Sequence, residues 1–225
     1  MITRVAGTTG TAGFGGDGGP ATDAELYNPV GLAVTGDGGF LITGGIMVRK
    51  VSADGVITRV AGTDNAGSGG DDGPATDAAL NNPAGLAVTA DGGFLIADTA
   101  NQVVRKVSAD GVITRVAGTT GTAGSSGDDG PATDAELNNP AGLAVTADGG
   151  FLIADTANQV VRKVSADGVI TRVAGTTGTA GSGGDDGPAT GAELNYPEGV
   201  AVTADGGFLI ADAVNQVVRK VEPSG

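Results

Sequence analysis

Four copies of one short string constrain this chain more than any other feature. Ile-Thr-Arg-Val-Ala-Gly begins at Ile2, Ile57, Ile113 and Ile170, at spacings of 55, 56 and 57 residues. The forty residues from Leu80 to Thr119 recur without a change from Leu137 to Thr176. A period of this length marks a repeat architecture, in which a unit cannot bury its apolar face alone and stacks against its neighbours.

Each unit holds four apolar runs of strand length, here called a to d. In the second unit they are Gly85–Thr89, Gly93–Asp98, Gln102–Val107 and Val112–Val116. Ala90-Asp91-Gly92 joins a to b, Asp98-Thr99-Ala100-Asn101 joins b to c, and Ala109-Asp110-Gly111 joins c to d. An Asp-Gly step supplies the positive φ of a tight hairpin. Four antiparallel strands with short turns form a meander, and sheets stacked radially bury their faces as a β-propeller. A solenoid fits less well, because its repeats are usually shorter and hold fewer elements. The expected fold is therefore all-β, a propeller of four four-stranded antiparallel blades.

The blade units fall at about 28–60, 82–116, 139–173 and 196–221, within a single domain spanning 1–225. The last unit has no strand d of its own. Residues 1–5 match that strand and are expected to complete the last blade, closing the ring and covering an edge that invites aggregation. A single chain would then form a monomeric four-bladed ring. Alternatively, two chains would exchange this strand and form a homodimer of eight blades.

A long polar link joins strand d to the next strand a, running from Gly118 to Pro140 in the third unit. Loops beyond about 12–15 residues often carry function. Thr133 and Glu136 have the spacing of a capping box over a single helical turn from Pro131 to Leu137.

Composition narrows the chemistry. The 43 Gly recur at fixed places between apolar runs, so they mark turns rather than disorder. With no Cys, disulfides and thiolate metal sites are excluded and the compartment stays open. With no His, the usual general base near neutral pH is missing. A net charge of −14 argues against nucleic acid and anionic membranes as partners. No basic segment followed by an apolar run opens the sequence, and no apolar run approaches the ~20 residues of a membrane-spanning helix.

The segment Asn82 to Val107, Asn-Pro-Ala-Gly-Leu-Ala-Val-Thr-Ala-Asp-Gly-Gly-Phe-Leu-Ile-Ala-Asp-Thr-Ala-Asn-Gln-Val-Val-Arg-Lys-Val, resembles the repeat of the NHL β-propeller family. The link Gly16 to Thr22, Gly-Asp-Gly-Gly-Pro-Ala-Thr, is similar to links of bacterial members. The resemblance covers nearly the whole chain and implies a propeller, commonly of about six blades where this chain has four. It departs from the family pattern where Gln-Val replaces His-Arg after the Asn of the b–c turn. In the first unit Thr43-Gly44-Gly45 replaces that turn altogether. The family's amidating lyases use His and metal ligands, and this chain has no His to match them.

All twelve cations sit at two places per unit. Strand c carries Arg49-Lys50, Arg105-Lys106, Arg162-Lys163 and Arg219-Lys220; strand d carries Arg4, Arg59, Arg115 and Arg172. They read as the charged faces of solvated outer strands. The acids recur in turns and links. Asp71-Asp72, Asp128-Asp129 and Asp185-Asp186 are the candidate metal residues, with Ca²⁺ as the ion, although two carboxylates are only part of the 6–8 oxygen ligands it takes. Otherwise such side chains fold back on backbone amides and fix the link. Asp98 and Asn101, Asp155 and Asn158, and Asp212 and Asn215 are expected to pin the b–c turns.

An active site needs groups in different roles at one place, whereas repeats this alike present one surface several times. No catalytic residue is assigned. The reading is a binding or structural scaffold with multivalent identical surfaces, its partner a protein or small-molecule ligand, and no cofactor beyond the Ca²⁺ option. The alternatives are a metal-dependent propeller hydrolase or lyase with a site near the pore, and an engineered or newly amplified array without evolved activity.

Overall fold

The computed structural model describes residues 1–223. It is all-β, with four antiparallel sheets of propeller-blade type and, among the described residues, short 3₁₀ turns as the only helices. The first sheet has the order β1 (Pro29–Val34), β2 (Phe40–Gly44), β3 (Met47–Val51), β4 (Ile57–Ala61). The second has the order β5-β9-β8-β7-β6, made of β5 (Gly73–Pro74), β6 (Pro83–Val88), β7 (Phe94–Asp98), β8 (Val103–Val107) and β9 (Val112–Ala117). The third repeats it as β10-β14-β13-β12-β11, from β10 (Gly130–Pro131), β11 (Pro140–Val145), β12 (Phe151–Asp155), β13 (Val160–Val164) and β14 (Val169–Ala174). The fourth has three strands, β15 (Pro197–Val202), β16 (Phe208–Asp212) and β17 (Val217–Val221).

The turns form where their chemistry dictates. Asp91 Oδ1 accepts the Gly93 N–H at 3.2 Å, the Thr89 N–H donates to Gly93 O at 2.9 Å, and Gly92 sits at φ +85°, which suits a residue without Cβ. Each b–c turn of the second and third sheets is one 3₁₀ turn, Thr99–Asn101 and Thr156–Asn158. It ends on Gln102 or Gln159 in the left-handed region.

The links return to their own blade. Gly73 and Pro74 pair with Ile113 and Val112, and Gly130 and Pro131 pair with Ile170 and Val169. The short strands β5 and β10 thus cover strand d, the place where an open edge would invite pairing with another chain. The expected capping box does not form. In the third link Asp134 N–H bonds Pro131 O at 3.0 Å, and the Thr133 carbonyl accepts from Arg115 Nη1 at 2.5 Å. The equivalent 3₁₀ turn Ala75–Asp77 starts on Pro74, whose fixed φ suits that position without a side-chain cap.

The chain divides into two compact units, residues 1–96 with 106–114 and residues 97–105 with 115–225. In the first, Leu41, Val48 and Ala61 pack with Leu86, Phe94 and Ile96. In the second, Leu152, Val161 and Ala174 pack with Leu194, Phe208 and Ile210. The same joint is therefore built twice: strands b, c and d of one sheet meet strands a and b of the next.

The expected completion of the last blade is not seen. Residues 1–5 form no strand, Ile2 and Val5 are 98% and 58% exposed, and the fourth sheet stops at three strands.

Candidate functional site

The polar residues that recur in each unit converge on the arginine of strand c. Successive residues of a strand point to opposite faces, so Arg162 and its neighbour Lys163 must part. Arg162 turns inward and is 1% exposed; Lys163 stays at the surface and pairs with Asp148 at 2.5 Å. The expectation of solvated arginines on an outer strand is corrected here. Strand d and the link lie outside strand c, and the guanidinium is buried beneath them.

Arg162 uses its fork fully. Nε donates to Asp128 Oδ1 at 2.9 Å, Nη1 to Glu136 O at 2.7 Å and Nη2 to Ser126 O at 3.1 Å. Nη1 also lies 3.5 Å from Asp155 Oδ2. Asp155, fully buried, accepts the Asn138 N–H on Oδ1 at 2.7 Å and Asn158 Nδ2 on Oδ2 at 2.8 Å. Asn158 Nδ2 donates again to Gly124 O at 2.6 Å. One cluster therefore ties the b–c turn and strand c to five residues of the link, Gly124, Ser126, Asp128, Glu136 and Asn138. Burial pushes the Asp155 carboxyl up to about 6, against the lowering effect of the hydrogen bonds from Asn138 and Asn158 and of the nearby Arg162 charge.

The cluster recurs. Arg105 lies 3.5 Å from Asp98, which accepts from Asn101 at 2.8 Å. Asp212 accepts from Asn195 N–H at 2.7 Å and from Asn215 at 2.9 Å, with Arg219 at 3.7 Å. The first unit departs from the pattern. Gly44 stands where the other blades have Asp, and Arg49 is held by Asp17 at 2.9 Å, Glu25 O at 2.7 Å and Gly15 O at 3.1 Å. Phe14 and Tyr27, with centroids 5.5 Å apart, fill the place of the missing turn; an added Cβ on Gly45 would meet Phe14 at 2.9 Å.

The paired link acids have separate tasks. The first member faces the arginine: Asp128 lies 2.7 Å from Arg162 and Asp185 2.6 Å from Arg219, with Asp17 at 2.8 Å from Arg49 in the first unit. The second member lends its backbone. Asp72 and Asp129, at φ +64° and +65°, donate N–H groups to Ile113 O at 2.8 Å and Ile170 O at 2.7 Å. Asp186 has the same left-handed backbone, and Asp71 holds the position equivalent to Asp128. Among the described residues no three of His, Cys, Asp and Glu gather as metal ligands, and no helix is long and apolar enough to cross a membrane.

A second recurring device joins sheets within each unit. Thr156 Oγ1 donates to Pro197 O at 2.7 Å and Thr99 Oγ1 to Pro140 O at 2.8 Å. In the first blade, where that turn is gone, Thr43 Oγ1 donates to Ala84 O at 2.7 Å. Sequence reasoning missed these bonds and the buried arginines. The Arg-Lys adjacency was the available signal, since period two forces one of the pair inward.

Comparison with known proteins agrees with this repeat. A family model described as Teneurin NHL domain matches residues 8–69 and 120–183, and one described as NHL repeat matches 80–106. Teneurin-4 of Mus musculus is 32% identical over 241 aligned residues, covering 92% of this chain but 8% of its own length. Among solved structures, an auxiliary nutrient binding protein from Bacteroides ovatus superposes with a TM-score of 0.67 at 21% identity, over 90% of this chain and 50% of that one. A streptogramin B lyase superposes with a TM-score of 0.59 at 16% identity, over 90% of this chain and 54% of that one. At such identities the two structures speak to the fold alone.

Proposed function

The chain belongs to the NHL-repeat propellers of the teneurin type, and on that premise we propose that it is a non-catalytic binding or structural module presenting one surface in several copies. The observation that carries this reading is the use already made of its polar groups. The carboxylates of Asp98, Asp155 and Asp212 are fully buried and serve the fold. Asp128 and Asp185 face the arginines of strand c. The surface also carries one repeated ion pair, Lys50–Asp37, Lys106–Asp91, Lys163–Asp148 and Lys220–Asp205, at 2.5, 2.6, 2.5 and 3.0 Å. Identical surfaces at fixed spacing suit a repetitive partner, where linked weak contacts gain by effective concentration. Absence of His supports the same reading, since it removes the usual general base near pH 7.

Calcium titration of metal-free protein, by calorimetry and thermal melting, tests it against a metal-dependent hydrolase or lyase. The scaffold reading expects neither heat nor a shift in melting temperature. Saturable heat that is lost on Asp129→Asn would overturn it in favour of a metal site on the links.

A further inference from the structure

The fourth sheet holds an open slot between β17 and the link that precedes the sheet. In the other sheets strand d lies between strand c and the link. Val48, Arg49, Lys50 and Val51 face Ala61, Arg59, Thr58 and Ile57, and Val161, Arg162, Lys163 and Val164 face Ala174, Arg172, Thr171 and Ile170. From the other side, Gly18, Asp72 and Asp129 donate N–H groups to Ile57, Ile113 and Ile170. In the fourth sheet both walls are in place, and the described residues place no strand d between them. A groove of 780 Å³ separates β17 from the link, lined by Asp185, Asp186, Leu194, Ile210, Val218 and Arg219 among others. Val217 and Val218 are 49% and 68% exposed there, while their counterparts Val160 and Val161 are 2% and 0%.

The chain also carries a strand without a sheet. Ile2-Thr3-Arg4-Val5-Ala6 is identical to Ile57–Ala61, Ile113–Ala117 and Ile170–Ala174. Those isoleucines are all 0% exposed, whereas Ile2 is 98%. The base of the segment is already set as in the complete blades. Gly7 N–H bonds Ala21 O at 2.8 Å, as Gly62 bonds Ala75 at 3.0 Å and Gly118 bonds Ala132 at 2.9 Å. Arg4 Nη1 donates to Gly7 O at 3.0 Å, matching the bond from Arg115 to Gly118 O.

We propose that Ile2–Ala6 of one copy adds as the missing fourth strand to β17 of a second copy, with reciprocal exchange. Main-chain ladder bonds give such strand addition its affinity, and alternate side chains in pockets give its specificity. The register follows the complete blades: Ala6, Arg4, Thr3 and Ile2 fall opposite Val218, Arg219, Lys220 and Val221 of the other copy. The faces beside the strand agree. Leu209 and Val218 of the fourth sheet, 37% and 68% exposed, are the counterparts of Leu152 and Val161. Leu32 and Val34 of the first sheet, 68% and 78% exposed, are the counterparts of Leu86 and Val88. The two open faces are therefore the two halves of the joint that the chain already builds between its own sheets, and the exchanged strand is followed, after the link of residues 7–28, by β1, which carries the second of them.

The test exploits the absence of native Cys. Thr3→Cys and Lys220→Cys are made in separate chains, mixed and oxidised. Residues directly opposite on antiparallel strands lie within disulfide reach, and a bond between two single variants forms only between copies. The expected result is a cross-linked species of twice the chain mass in the mixture, exceeding that of either variant alone, with the same doubled mass for the wild type by light scattering. Deleting residues 1–6 should halve the particle mass. A monomeric wild type overturns the proposal. So does a double variant, T3C with K220C in one chain, that cross-links at single-chain mass while the mixture of single variants does not, because the segment then fills its own slot.

Discussion

Arg162 and Lys163 are chemical neighbours of opposite consequence. Arg162→Met removes a cation from a cluster in which Asp155 is fully buried and Arg162 is 1% exposed. The lost bonds include those to Asp128, Glu136 O and Ser126 O, at 2.9, 2.7 and 3.1 Å. Removing one partner of a buried pair leaves the other charge without compensation and costs about 3–5 kcal/mol. Lys163→Met breaks only a surface pair with Asp148, worth about 0–1 kcal/mol. Both changes swap a cation for an apolar side chain of similar length on one strand, so propensity nearly cancels. Urea denaturation at pH 7, followed by far-UV circular dichroism, reads the difference as a midpoint shift at constant slope. The pair of variants should differ by about 2–5 kcal/mol. Adding Asp155→Asn to Arg162→Met should recover part of the loss, because the stranded charge is then gone. Equal midpoints for Arg162→Met and Lys163→Met would refute the view that this buried cluster organises the blade.

Asp155 carries a pH signature. Its folded value of about 6 lies above the ordinary 3.8, so the folded state binds the proton more tightly. This group's contribution is thus fully present below about pH 4 and is lost as pH rises through about 6; the wild-type midpoint minus that of Asp155→Asn, measured from pH 4 to 7, should fall along that course. Gly142→Ala places a Cβ 2.5 Å from Glu198 O and 2.9 Å from Gly199 Cα, so thermal melting should show a loss of about 1–3 kcal/mol from overpacking. Thr156→Val keeps the shape but deletes the 2.7 Å bond to Pro197 O, and denaturation should report a loss of about 1–3 kcal/mol from the buried carbonyl left without its donor.

The fold was legible because period two, Asp-Gly turns and exact repetition all point to one answer. Phe94–Asp98 reads as a strand from its composition and is one. The links were less legible. Their Gly, Ser and Asp content reads as loop, yet Gly73-Pro74 and Gly130-Pro131 form ladder pairs that depend on where strand d lies in space. The arginines were misplaced for a related reason. Charge predicts exposure only when no carboxylate or carbonyl is fixed nearby, and the link partners of Arg162 lie 26 to 36 residues away in sequence. The last blade was read from its missing strand, and the expected filler was assigned by identity of sequence. Identity shows what can occupy a slot, but not which copy supplies it.

The threonine that reaches from one sheet to a carbonyl of the next has a consequence for how such a chain can change length. In three places the donor and acceptor are 41 residues apart, from Thr43 to Ala84, Thr99 to Pro140 and Thr156 to Pro197. Copying a whole unit copies both ends of the joint, already fitted. Losing a single residue inside a strand would shift the register of that strand and flip the alternation of its faces beyond the loss. Length has in fact drifted only in connectors: the step from Ile57 to Pro83 is one residue shorter than that from Ile113 to Pro140, and the first b–c turn is shorter too. The array is thus free to grow by entire blades and to drift in its connectors, and almost frozen against smaller steps inside its strands.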